Sequence, residues 1–353
     1  MLNKVRQKLK EAGIDALLSY DPLNQRYLTG FSFTDGAVLI TKEKAYLITD
    51  FRYIEAASNV ISEEIEALIP SDRNAFFEEV FTSQGIKTVG FEGGFLPYGD
   101  YKRHVERFDK VEFVDANGIV ESVRQIKTEK EIALMQKAQD IADGAFSHIL
   151  GMINPNMTEI DVASELEYYM RRAGAEAFSF ETIAVSGDAS ALPHGVPRNV
   201  KLKRGFLTMD FGAKYEGYCS DMTRTVVIGK ADEEMKKLYN TVLRAQLAAL
   251  DFIREGVDCK ETDRVARDII DSYPEYKGKF GHSLGHSIGL FVHESPAFSP
   301  RSDHKTRCGE IYSVEPGIYL AGKYGCRIED MVAIREDGVY NFTHSTKELI
   351  EIL

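Results

Sequence analysis

The sequence predicts an α/β (α+β) protein of two domains, and three observations carry that expectation. The first stretch of about 120 residues reads as a small α/β unit, with a helix, a short buried strand and a hairpin. A break near 122–126 is followed by Thr128 and Glu131, a capping box that opens a long helix. Beyond it, a helix pair followed by strands occurs twice. The expected domains are 1–125 and 126–353.

Taken in order, residues 3–12 form a helix that Gly13 closes in the C′ position. Lys4, Arg6, Lys8 and Lys10 without an apolar core mark a surface helix and not a secretory signal. The run 15–20 is a short buried strand. Residues 36–40 and 45–49 flank a polar turn at 41–44 and make a hairpin. In the second domain the capped helix runs to about 150, and 154–156 is a loop. Thr158 and Asp161 repeat the opening signal for a helix to about 173. Further helices are expected at 233–255 and 261–272. Strands are expected at 182–185, 205–211, 219–228, 311–314, 318–320 and 327–335.

Composition narrows the function. With 353 residues, 44% hydrophobic and 28% charged, the chain suits a soluble globular protein with sizeable cores. A formal net charge of −12 argues against nucleic acid or an anionic membrane as partner. No apolar run approaches the roughly 18 residues of a membrane span. Cys219, Cys259, Cys308 and Cys326 form neither a C-x-x-C pair nor a disulfide framework. Free buried thiols in a reducing cytoplasm are expected.

Five candidate metal ligands lie in the second domain: Asp210, Asp221, His286, Glu315 and Glu329. Four carboxylates and one imidazole are a hard, oxygen-rich set, better suited to two divalent cations than to one zinc among sulfurs. Two hairpins organise them. A turn at 214–217 symmetric about Tyr215 and Glu216 sets Asp210 opposite Asp221. A turn centred on Gly322 sets Glu315 opposite Glu329, with Pro316-Gly317 kinking the first strand. Opposed buried carboxylates repel, and a dication between them removes the repulsion. Between the hairpins, His282, His286 and His293 fall within twelve residues, interleaved with glycines that let backbone approach a ligand. His194 is a fourth candidate.

Six ordered motifs then carry a family resemblance. Leu192-Pro193-His194-Gly195, Met209-Asp210-Phe211-Gly212-Ala213, Ser220-Asp221-Met222-Thr223-Arg224-Thr225, Gly285-His286-Ser287-Ile288-Gly289 with Val292-His293-Glu294, Val314-Glu315-Pro316-Gly317-Ile318-Tyr319 and Arg327-Ile328-Glu329-Asp330 closely resemble the pita-bread metallopeptidases of peptidase family M24. The closest branch is that of Xaa-Pro aminopeptidases and prolidases. The resemblance implies an N-terminal creatinase-like domain and a C-terminal pita-bread catalytic domain with pseudo-twofold internal symmetry. It implies two divalent ions, manganese first and cobalt or zinc as alternatives. Asp210 would bind one, His286 and Glu315 the other, and Asp221 and Glu329 would bridge. Glu315 would take a proton from the attacking water, and His293 would donate to the tetrahedral intermediate. His194 and His282 would position substrate and help protonate the leaving proline nitrogen, and Arg327 would order the site. The implied substrates are peptides with proline in second position, and the implied assembly is a homodimer. The chain departs from the family at Ser287, where glycine is common. It also has Ala297 where some dipeptide-specific prolidases carry an arginine for the substrate carboxylate, with Arg301 as a nearby basic substitute. The missing arginine tilts the expectation to an aminopeptidase, with a prolidase as the alternative and a catalytically inactive binding protein as a remote one.

Overall fold

The apolar run 16–19 becomes a central strand because both of its faces are covered: Ala16, Leu17, Leu18 and Ser19 are all buried. The computed structural model describes residues 1–353 and divides into two units, Met1–Arg124 and Gln125–Leu353. In the first unit the sheet order is Ile65–Leu68, Ala45–Ile48, Ala37–Thr41, Ala16–Ser19, Thr88–Phe91, Glu112–Asp115. The expected hairpin is present, with Ile40 opposite Ala45, whereas Ala16–Ser19, Thr88–Phe91 and Glu112–Asp115 run parallel. Parallel neighbours need crossovers. Helices Pro22–Thr29, Ile54–Ser58, Arg73–Ser83, Tyr98–Arg107 and Ile119–Arg124 were not anticipated from sequence. Phe77, Phe81, Phe108 and Phe113 fill the core between sheet and helices.

The second unit is built twice over. Thr128–Glu131 and Thr158–Asp161 capping boxes open helices Glu129–Met152 and Glu159–Arg172. The second pair is Glu233–Phe252 and Cys259–Asp271. The first helix of each pair ends at an extended isoleucine, Ile153 or Ile253. The N-cap of the second helix, Thr158 or Asp258, then forms a β-bridge to Lys201 or Lys305. One helix pair goes with a four-stranded sheet, Glu351–Ile352, Met222–Ile228, Gly205–Phe211, Ile183–Ser186. The other goes with a five-stranded sheet, Glu294–Phe298, Gly285–Ser287, Ile311–Val314, Asp330–Arg335, Gly338–Asn341. Each sheet shares a core with its own helices: Leu207, Phe211 and Val226 with Ile141, Phe146 and Leu166, and Tyr312, Val314 and Val332 with Leu238, Val242 and Ile270.

Three expectations need correction. The run 219–228 is interrupted at Ser220-Asp221, and 327–335 at Ile328-Glu329, so each break falls on a candidate ligand. The first hairpin is not symmetric about Tyr215 and Glu216. Its two-residue turn is Glu216-Gly217, with φ of 44° and 87°, the left-handed pair that matches strand twist. Tyr215 therefore faces Tyr218, and Asp210 faces Thr223, not Asp221. Asp221 lies two residues nearer the turn than Thr223, in the break between the strands. The second hairpin has the expected register: Gly317 faces Arg327 and Val314 faces Asp330, with Gly322 in the turn at φ 73°. All four cysteines are free, but Cys308 is half-buried where a buried thiol was expected. No helix is long and apolar enough to cross a membrane.

Candidate active site

The two hairpins, with the histidine segment between them, enclose a cavity of 580 Å³ within the second unit. His194, Asp210, Asp221, His282, His286, His293, Glu315, Arg327 and Glu329 all line it, so the structure brings together every candidate ligand and catalytic side chain singled out from sequence. Phe180, Ile183, Pro193, Val196 and Pro197 supply an apolar wall.

Local geometry follows from the backbone. Gly212 and Gly285 sit where a Cβ would come 2.0 Å from Ser220 O and 1.9 Å from Ser313 O, so only glycine lets these strands close beside Asp210 and His286. A bulge between His286 and Ser287 re-aims the histidine strand. Glu315 N–H donates to Leu284 O (2.8 Å) and Glu329 N–H to Thr223 O (3.1 Å), fixing both glutamates against neighbouring strands. Ser287, the departure noted above, is buried and donates its hydroxyl to Ile311 O at 3.0 Å.

The charges do not balance within the protein. Asp221 and Glu329 carboxyls are held well above the usual carboxylate range by burial and then by neighbouring acids: Glu329, Asp210 and Glu315 for Asp221, Glu315 and Asp210 for Glu329. Burial likewise pushes Glu315 up to about 7, against the pull of Arg327. Burial, then His293, pulls His286 down to about 4, so its ring is neutral near pH 7. Its Nδ1 lies 3.2 Å from Ser287 O. A carbonyl only accepts, so Nδ1 carries the proton and the Nε2 lone pair faces Asp221 Oδ2 (3.6 Å) and Glu315 Oε1 (3.4 Å). Asp210 Oδ1 and Glu329 Oε1 are buried with no hydrogen-bond partner. One ligand atom each from Asp221, His286 and Glu329 lies within 4.8 Å of the others, Glu315 Oε1 adjoins the same imidazole, and Asp210 lines the same cavity. Electron-rich atoms facing one another in a dry place, with orphaned lone pairs, fit divalent cations with hard oxygen ligands.

Arg327 is the organising cation. Its guanidinium donates to Asp210 Oδ2 (2.6 Å), Thr223 Oγ1 (2.9 Å), Tyr319 Oη (2.8 Å) and Pro193 O (3.2 Å). Thr223 in turn donates to Glu329 Oε2 at 2.7 Å. Sequence reasoning missed Thr223 and Tyr319. It also gave no role to Arg224, which is fully buried, donates to Glu329 O (2.6 Å) and Ser345 O (2.7 Å), and pairs with Asp330 at 2.9 Å. An arginine inside the strand Met222–Ile228, otherwise free of charge, was the available signal for it.

The histidines differ in freedom. His282 Nδ1 donates to Ser283 O (2.8 Å), so Nε2 must accept from Tyr319 Oη (3.0 Å). Burial pulls this ring down to about 4. His293 stacks edge-on against His286, with centroids 4.4 Å apart. His194 makes no hydrogen bond within the protein and borders the cavity. Arg301 is exposed and is not among the lining residues, whereas Ala297 is.

Residues 133–336 match the model for metallopeptidase family M24, and residues 1–126 match the creatinase/prolidase N-terminal domain. The chain is 43% identical, over 99% of both chains, to the uncharacterized peptidase YqhT of Bacillus subtilis (strain 168). Among solved structures it resembles an Xaa-Pro dipeptidase from Bacillus anthracis (TM-score 0.95, 43% identity, 99% of this chain and 98% of that one). It also resembles an X-Pro aminopeptidase from Thermotoga maritima MSB8 (TM-score 0.92, 36% identity, 98% of this chain and 100% of that one).

Proposed function

Because the chain belongs to metallopeptidase family M24, we propose that it is a dinuclear Xaa-Pro aminopeptidase, releasing the N-terminal residue from peptides with proline in second position. The observation that carries this reading is the cavity in which four carboxylates, one neutral imidazole with its free nitrogen facing them, and three further histidines meet. Asp210, Asp221, His286, Glu315 and Glu329 would hold two divalent cations, manganese first and cobalt or zinc as alternatives. Asp210 would serve one, His286 and Glu315 the other, and Asp221 and Glu329 both. When bound, such a pair supplies an acidified water and a polarised carbonyl.

The protein's own groups do the rest. Glu315 accepts the proton of the attacking water. His293 donates a hydrogen bond to the oxygen that becomes negative as the carbonyl turns tetrahedral. Protonating the leaving proline nitrogen falls to His194, whose ring is unengaged, while His282 is held at both nitrogens and positions substrate. Arg327 holds Asp210 and, through Thr223, Glu329 in place. A tertiary amide has no N–H to recognise, and the apolar wall of Phe180, Ile183, Val196 and Pro197 offers the ring a place.

The aminopeptidase reading rests on charge. A dipeptide presents a free carboxylate next to the scissile bond. Arg327 is the only Lys or Arg lining the cavity, and four of its five N–H donors are engaged by the protein, one of them on the Asp210 carboxylate. A longer peptide needs no such partner. Xaa-Pro dipeptidase action is the second reading, favoured by the relatives of that name in Pyrococcus horikoshii (38% identical) and Pyrococcus furiosus (35% identical). The proposal includes a cytoplasmic homodimer. The test is turnover of manganese-loaded protein on Xaa-Pro and Xaa-Pro-Yaa peptides. Faster cleavage of the tripeptides is expected, cleavage of dipeptides alone selects the second reading, and cleavage of neither rejects both. Asp221→Asn should abolish the activity.

A further inference from the structure

We propose that Lys127 is a positioning residue for His293, acting through a buried ion pair with Glu294; the inference rests on the functional reading above. Lysine side chains are rarely buried without a specific partner, yet that of Lys127 is 1% exposed, and its ammonium lies 3.4 Å from the Glu294 carboxylate, itself 6% exposed. Neither residue lines the cavity. Glu294 is the residue next to His293.

The surrounding backbone explains what the pair holds. Residues 289–294 fold back around the Glu294 carboxylate: Phe291 N–H donates to Glu294 Oε1 at 3.3 Å, and Gly289 N–H donates to Phe291 O at 3.1 Å. Gly289 makes room for the carboxylate, since a Cβ there would come 2.6 Å from Glu294 Oε2. The loop is moored at one side by Cys219 N–H donating to Gly289 O (2.8 Å), beside the first hairpin. At its end, Glu294 pairs with Ser287 directly after the bulge that re-aims His286. His293 is thus the outward residue of a turn whose inner face is a carboxylate, and its ring reaches the His286 ring at 4.4 Å.

Lys127 approaches from a fixed point. Its own N–H donates to Gly309 O (2.9 Å), and the next residue, Thr128, is the N-cap of helix Glu129–Met152. That helix is tied back to the first hairpin by Tyr218 Oη donating to Glu131 Oε1 at 2.7 Å. The ammonium therefore comes from an anchored strand of chain, and a salt bridge of this kind fixes a loop more than it adds stability. A misplacement of His293 by about 1 Å is enough to cost on the order of 100-fold in turnover.

The test separates positioning from folding. Lys127→Met takes a cation from a buried carboxylate and is destabilised, so Lys127→Met/Glu294→Gln, which removes both charges, is the second variant. The double variant is expected to recover the melting temperature but to keep a kcat reduced roughly 10- to 100-fold, with KM within about threefold of wild type. Amide hydrogen exchange at Gly289 and Phe291 should rise in the metal-free double variant. In a His293→Ala background the same pair of changes should cost no further kcat, because the residue it positions is gone. A kcat that returns with the melting temperature, unchanged exchange at Gly289 and Phe291, or losses that multiply with His293→Ala would each overturn the proposal. Failure of the wild-type enzyme to cleave Xaa-Pro peptides would instead overturn the functional reading, and the exchange measurement would still report on the ion pair.

Discussion

Replacing Glu315 by glutamine in the metal-free protein should make it more stable, and increasingly so as pH rises. Burial pushes the Glu315 carboxyl up to about 7 from 4.5, so the folded state holds its proton more tightly than the unfolded chain does. A raised carboxyl costs nothing below the unfolded value, grows as pH climbs from about 4.5, and reaches its full cost above about 7. A displacement of about 2.5 pH units corresponds to about 3 kcal/mol at pH 7.5, and to under about 1 kcal/mol at pH 5. His282 and His286, both pulled down to about 4, have the opposite slope: neutral in the fold, they favour folding as pH rises toward their unfolded value. Their contributions appear in both proteins, so the difference between wild type and Glu315→Gln reports the Glu315 charge together with its repulsion of Asp221 and Glu329. The assay is urea denaturation of chelator-stripped protein at pH 5 and 7.5. Glu315→Gln should gain about 2 kcal/mol on wild type between the two conditions. With manganese present the order should reverse, because the variant loses a ligand. A difference that stays flat with pH, or shrinks, would refute the claim that unbalanced carboxylates strain the empty site.

Other expectations follow from single contacts. Arg327→Met removes the partner of buried Asp210 and should cost about 3 kcal/mol, measured by denaturant titration, together with nearly all peptide turnover. Gly212→Ala would force a Cβ onto a backbone carbonyl that cannot retreat, and should lower stability by at least about 2 kcal/mol. Thr128→Ala removes a side-chain cap whose reciprocal partner is Glu131, and should cost about 1 kcal/mol while leaving KM unchanged.

What the sequence disclosed depended on whether the information was local. Capping boxes at Thr128 and Thr158 are written within four residues, and both helices begin where expected. The Glu315–Glu329 register was legible because Gly322 alone sits at the centre of a short turn. The first hairpin was misjudged by two residues because turn type, not symmetry, sets register: Glu216 adopts a left-handed conformation that its side chain does not advertise. Five helices of the first unit went unread, although Asp21-Pro22 and Asp72 are recognisable starts. Their apolar stripes are short and mixed with charge. Tyr319 and Thr223 could not be found at all from sequence. Each matters through one hydroxyl: Tyr319 meets Arg327 across the second hairpin, and Thr223 meets it only after distant strands have come together.

The duplicated architecture has a mechanical corollary. Asp210 and Asp221 come from one repeat, while His286, Glu315 and Glu329 come from the other, and the seam is sewn by Arg224, Thr225 and Arg327 reaching across it. Cations seated there would act as rivets between the two repeats. Any substitution that loosens the seam, however far from the peptide, should then reveal itself as weaker ion capture before it is felt as slower chemistry.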